Sequence, residues 1–159
     1  MIAGAVTASW LDAPLKRFVQ DSRVQRVIVL HPNGRVLGQF GFGSAVEVMT
    51  ACTLAAAINA SGKELGRQLG GTPFFGLHQG GRTQGLFMGT CRAGEMECLL
   101  LAAFDRDSTL GLVRLCFAEF RNAVGRLSGV GDKEGACRDL DTDLTSSLDA
   151  LFGPSQLMA

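Results

Sequence analysis

Residues Cys98 to Phe104, CLLLAAF, form the longest unbroken apolar run in the chain. The run is far short of the roughly 20 residues a membrane helix needs. It lacks the apolar–polar alternation of a strand with one wet face, so it reads as a central strand buried on both faces. Such a strand cannot stand alone. It needs a neighbour on each edge and an apolar layer above and below.

The rest of the chain supplies those parts in order. Asp12 reads as the N-cap of a first helix, with Pro14 in its first turn and Leu15, Phe18, Val19 and Ser22 at helical spacing. Val24–His31 and Arg35–Phe40 read as strands joined by the turn Pro32-Asn33-Gly34. Ser44 is a candidate cap for a helix over 45–69, closed by Gly70-Gly71 and Pro73. Three strands follow, at about 74–79, 84–91 and 96–104, turning at Gly80-Gly81 and Ala93-Gly94. Ser108 can cap a last helix over 109–127, buried through Leu112, Leu115, Cys116, Phe120, Ala123, Val124 and Leu127. The order α-β-β-α-β-β-β-α predicts an α/β fold: a five-stranded, mostly antiparallel sheet with helices on both faces. Residues 1–128 form one domain. Residues 129–159 are a glycine-rich joint and a tail in which Asp139, Asp141, Asp143 and Asp149 alternate with Leu140, Leu144, Leu148, Leu151 and Phe152.

The helix over 45–69 is the most informative element. Ala51, Leu54, Ile58, Leu65 and Leu69 fall on one stripe, which is expected to face the sheet. The other side carries Met49, Cys52, Thr53, Ala56, Ala60, Lys63 and Arg67, and its first half is small and weakly polar. A solvated face would carry charge throughout. Alanine is a strong helix former, which is one explanation; a contact surface for a second helix or a partner is the other. Overall composition favours the second. Only 19% of residues are charged, against about 25% in ordinary domains, so covered surface is expected. A net charge of zero gives no basic footprint for nucleic acid. The apolar start Met1–Val6 has no preceding basic residue, so no secretory leader is expected. Five cysteines without metal-type spacing read as reduced thiols in a cytoplasmic protein.

Catalytic motifs fail on inspection. Gly41-Phe42-Gly43 lies between a strand and a helix, but Val46 occupies the third glycine position of a dinucleotide loop. Gly62-Lys63 lacks the upstream glycine of a phosphate loop and is followed by Glu64. His31 and His78 have no histidine or cysteine at ligand spacing. Asp105 and Asp107 are explained by a charge preference at a helix start. No residue set performs chemistry unaided, and no metal or cofactor is implied.

Several strings then converge on one family. Leu99–Asp105 and Ser108–Leu115 resemble the last strand and last helix of the Roadblock (dynein light-chain-like) family. His78-Gln79-Gly80 followed by Gly85–Met88 resembles its bacterial MglB branch, as do the alanine-rich central helix with Gly66 and the tail ending Leu148–Phe152. The resemblance spans residues 12–128 and, loosely, the tail. It implies a homodimer, paired through the central helix and an edge strand. Two subunits would bind one Ras-like GTPase of MglA type and stimulate its hydrolysis in bacterial cell polarity and gliding motility. No arginine finger is supplied; the partner's own residues are repositioned. By position, Met49, Thr53, Ala56, Ala60, Lys63 and Arg67 are the expected GTPase contacts. Cys52, Ala57, Phe74, Phe75 and Leu77 are expected at the dimer seam. Leu144, Leu148 and Phe152 are candidate docking residues of the tail, with other polarity proteins as further partners. Two other readings stand beside this one: a non-activating adaptor of the same fold, and a small-ligand sensor, which would need a polar pocket.

Overall fold

The computed structural model describes residues 7–72 and 76–127. Eight elements follow one another: α1 (Asp12–Ser22), β1 (Arg26–Leu30), β2 (Val36–Phe40), α2 (Ala45–Leu69), β3 (Gly76–Gly80), β4 (Gly85–Ala93), β5 (Met96–Phe104) and α3 (Leu110–Gly125). The strands form one sheet in the order β2-β1-β5-β4-β3. All four pairings are antiparallel. The apolar run of β5 is therefore central: Leu100 lies opposite Val29 on one side and Gly89 on the other.

Both faces are covered, as that run requires. On one face, α1 and α3 pack with Val27, Val29, Phe87, Cys91, Cys98, Leu100 and Ala102 into the larger core. Phe18 meets Phe120 edge-on, and Phe117 meets Phe87 in the same way. The other face is closed by α2, where Val48, Cys52 and Ala55 pack on Ile28, Leu30, Met88 and Leu99. Strand alternation sorts the side chains of β1 and β5 between the two cores. The close approach of α3 needs Gly89, where an added Cβ would lie 2.5 Å from the Phe117 ring.

Four local readings differ from the sequence expectation. Asp12 is the first residue of α1, not its cap; Leu11 takes that place, and its side chain makes no cap hydrogen bond. Leu11 is buried in the core instead, so burial rather than capping fixes the helix start. Thr109, not Ser108, caps α3, accepting from the Leu112 N–H. Ser108 is buried, and its hydroxyl donates to the Ser22 carbonyl at the end of α1, tying the two helices' ends. In α3, Leu115 and Ala123 lie on the exposed side, and Val113, Cys116, Phe117, Phe120 and Val124 are the buried set. Of the stripe Ala51, Leu54, Ile58, Leu65 and Leu69, only Ala51 and Ile58 pack at the margin of the core under α2; Leu54, Leu65 and Leu69 are exposed. The sheet already presents large side chains there, so α2 meets it with Cys52, Ala55 and Gly66 among its buried residues.

Gly89→Ala forces the Phe117 ring to move and is expected to cost about 1–3 kcal/mol by overpacking, read as a lower urea midpoint at unchanged slope.

Candidate functional site

The surface that stands out is the outer side of α2. The helix begins on a reciprocal cap. The Ser44 hydroxyl accepts from the Glu47 N–H at 3.2 Å, and the Glu47 carboxylate accepts from the Gly43 N–H at 3.0 Å. It ends where the Gly70 and Gly71 N–H groups both donate to the Gly66 carbonyl. Between these ends Val48, Cys52, Ala55, Asn59 and Gly66 are buried. Residues on the opposite side, Val46, Met49, Thr50, Thr53, Ala57, Ala60 and Ser61, are exposed. No charged residue occurs between Glu47 and Lys63. Met49 is 69% exposed and Val46 72%, unusual values for apolar chains on a helix. Among the described helices, α2 is the one long and apolar enough by composition to cross a membrane.

Charge returns past the middle of the helix, and it is already paired. Lys63 Nζ lies 2.5 Å from Glu97 Oε1 at the start of β5, joining helix to sheet. Arg67 donates twice to Glu64 on the helix surface. The Glu64 carboxyl is held below its ordinary pKa by hydrogen bonds from Arg67 and then Gln68, and Arg67 is raised by the same contact.

The second feature is the sheet edge. β3 is exposed at every position and, among the described residues, pairs with β4 alone. Leu77 lies opposite Met88, on the α2 side of the sheet. His78 points to the other side and stacks on Phe104 at 6.2 Å. A groove of about 60 Å³ runs between α2 and this edge, lined by Ile58, Gly62, Lys63, Leu77, Met88 and Thr90 among others. Leu54 and Leu65 continue the flank of Ile58 at helical spacing, and both are more than half exposed.

The expected site residues divide accordingly. Met49, Thr53 and Ala60 lie on the exposed outer side. The Thr53 hydroxyl donates to the Met49 carbonyl within the helix. Arg67 is exposed beside Glu64. Ala56 is half-buried against the α2 core, and Lys63 is turned toward β5. Ala57 is exposed, and Leu77 sits on the edge strand, 40% exposed. Cys52 is a correction to the seam set. It is 2% exposed, packed on the sheet of its own subunit, and burial raises its thiol pKa. It has no surface to offer a second chain. Phe74 and Phe75, and the tail residues Leu144, Leu148 and Phe152, lie outside the described residues.

Val46, Leu54, Leu65 and Leu69 were missed as surface. Small residues at 52, 55, 62 and 66 line the closely packed side, but Thr50, Thr53, Ala57, Ala60 and Ser61 make the outer side equally small, so side-chain size alone does not separate the two. Among the described residues no cluster of acidic, histidine and cysteine side chains could hold a metal ion.

A five-stranded antiparallel sheet in this order, with two helices on one face and a long helix across the other, is the fold of the Roadblock/LC7 domains. Within that class it resembles the structures of MglB. The Myxococcus xanthus MglB structure superposes with a TM-score of 0.67 at 21% identity, covering 74% of this chain and 93% of that one. The gliding protein MglB of Thermus thermophilus gives 0.65 at 22% identity, covering 79% and 93%. A Roadblock/LC7 domain from Streptomyces avermitilis gives 0.61 at 21%, covering 72% and 93%. No protein-family model matches the sequence, and no curated protein matches it significantly.

The two sides of α2 are expected to respond oppositely to charge. Ala60→Arg should leave stability within about 0.5 kcal/mol of the parent. Cys52→Arg should abolish the cooperative thermal transition, because it buries an unpaired cation. Comparable melting of both variants would show that the buried side of the helix is wrongly assigned.

Proposed function

We propose that this chain is an MglB-type member of the Roadblock family: a cytoplasmic homodimer that binds a Ras-like GTPase of MglA type and accelerates its GTP hydrolysis. The biological setting is bacterial cell polarity and gliding motility. The observation that carries this reading is the exposed, uncharged outer side of α2 on a fold shared with MglB. A helix face of methyl, thioether and hydroxyl groups with no charge over several turns has no ion to desolvate on being covered, and its apolar part gains from the area removed from water.

The dimer is supported by a second, independent feature. Among the described residues nothing pairs with the outer edge of β3, and an exposed edge strand invites pairing with another chain. Leu54, Leu65 and Leu77 add apolar area beside it. Antiparallel pairing of two copies of β3 is self-complementary about a two-fold axis. Ala57 and Leu77 belong to this seam together with Phe74 and Phe75. Met49, Thr53 and Ala60 form the centre of the GTPase contact, with Arg67 at its rim. The tail, through Leu144, Leu148 and Phe152, is a second docking element for the GTPase or for other polarity proteins.

The chain acts without an active site of its own. Phosphoryl transfer needs positive charge on the γ-phosphate and an oriented water. In this reading both come from the GTPase, and the dimer stabilises the conformation in which they are in place. The pairing of Lys63 with Glu97 and of Arg67 with Glu64 is in keeping with that division, since each cation already has a carboxylate partner on this chain.

Phosphate release from the GTP-loaded cognate GTPase is the test. Saturating protein should accelerate it, and Ala60→Arg or Thr53→Arg should remove both binding and acceleration while the dimer persists on size exclusion. Binding without acceleration would identify a tethering adaptor instead, and absence of binding would overturn both readings.

Replacing Arg67, Arg82 or Arg92 singly should leave hydrolysis far short of the roughly 10³–10⁵-fold loss that follows removal of an arginine finger. A loss of that size at any of the three, in the same phosphate-release assay, would assign a finger to this chain.

A further inference from the structure

Cys91 and Cys98 lie directly opposite each other on β4 and β5. Their Sγ atoms are 2.8 Å apart. Both side chains point into the core shared with α1 and α3, and each is at most 3% exposed. Two sulfurs on facing positions of adjacent antiparallel strands need approach by less than about 1 Å to bond. The six residues between them, 92–97, contain the turn that already holds the strands together, so bonding asks no rearrangement of the chain path. Nothing in the proposed GTPase regulation uses either thiol.

We propose that Cys91 and Cys98 are a redox-active pair, a site of reversible disulfide formation driven by a peroxide. In the first step one Sγ attacks a peroxide oxygen. An S–O bond forms, the O–O bond breaks, and the departing oxygen leaves as water or alcohol with the thiol proton. In the second step the other Sγ attacks the resulting sulfenic sulfur. The S–S bond forms, the S–O bond breaks, and water leaves with the second proton. The pair loses two electrons and two protons, and the peroxide is reduced. An adjacent resolving thiol is what separates this outcome from irreversible over-oxidation.

The surroundings set the pace. The contact with Cys98, then burial, keeps Cys91 protonated in the closed core, while the Arg121 guanidinium acts in the opposite sense. Reaction is therefore slower than at an exposed thiol and proceeds when the β4–β5 hairpin opens. The short loop means that the bond adds little stability by chain entropy. Its effect is local: it fixes β4 to β5 beyond the segment of β4 that pairs with β3.

The test uses the full-length reduced protein, exposed in its native state to hydrogen peroxide. The reaction is quenched, the chain is unfolded and alkylated with iodoacetamide, and the digest is mapped. Cleavage after Arg92 places the two cysteines on separate peptides. The expected product is a Cys91–Cys98 linked peptide pair in most molecules, lighter by two hydrogens and released by dithiothreitol. Cys98→Ser should yield no linked pair and a Cys91 that is alkylated or carries oxygen. Full alkylation of both wild-type cysteines, oxygen addition without linkage, or linkage to Cys52, Cys116 or Cys137 would each overturn the proposal.

Discussion

The interaction on which the structure depends is the double pairing of β5. Its backbone is hydrogen-bonded to β1 along one edge and β4 along the other. Its side chains alternate between two cores, with Cys98, Leu100 and Ala102 on the α1–α3 side and Leu99 on the α2 side. Losing this strand would divide the sheet into two hairpins, each too small to be stable by itself. Everything else is placed relative to it. β2 and β3 become the two edges because β5 occupies the middle, and α2 has a separate face to itself because α1 and α3 fill the other.

Having a face to itself also determines what α2 can offer. The sheet beneath it is rich in large side chains, so the helix packs through small ones and its leucines are displaced to the flank. The side turned away from the sheet is left with methyl, hydroxyl and thioether groups and no charge over residues 48–62. Such a surface carries no charge to be desolvated and is suited to contact with another protein. Its position next to an edge strand places two kinds of association surface, uncharged and hydrogen-bonding, on adjoining parts of the molecule.

Much of this was legible in the amino-acid order. The continuous apolar run CLLLAAF located the central strand, Pro32-Asn33-Gly34 located the first hairpin, and Ser44 with Gly70 bounded α2 within a residue. The rotation of α2 was not legible, for a definite reason. Periodicity finds where large apolar residues recur, and it assumes that they seek the core. Here the sheet presents Ile28, Leu30, Met88 and Leu99 from three strands, and the helix meets them with Val48, Cys52 and Ala55, leaving Ile58 at the margin and Leu54, Leu65 and Leu69 exposed. The same blindness placed Cys52 at a subunit seam when it packs on its own sheet. The start of α1 follows the same logic: Asp12 has the chemistry of a cap, but Leu11 is anchored in the core and sets the first turn one residue earlier. The Cys91–Cys98 contact required the strand register, which spacing alone does not specify.

In mechanical terms α2 is a beam bedded on the sheet and pinned once beyond it. Val48, Cys52 and Ala55 bear on the sheet, Asn59 is buried after them, and about 22 Å beyond Val48, at a rise of about 1.5 Å per residue, Lys63 is joined to Glu97. A load applied between Thr53 and Ala60 falls within that span, where deflection is resisted from both sides. Beyond the pin, only Gly66 is buried and the final turn overhangs. A body seated on the middle of the helix therefore meets a stiff platform, and the compliance of α2 is concentrated in the overhanging turn past Lys63.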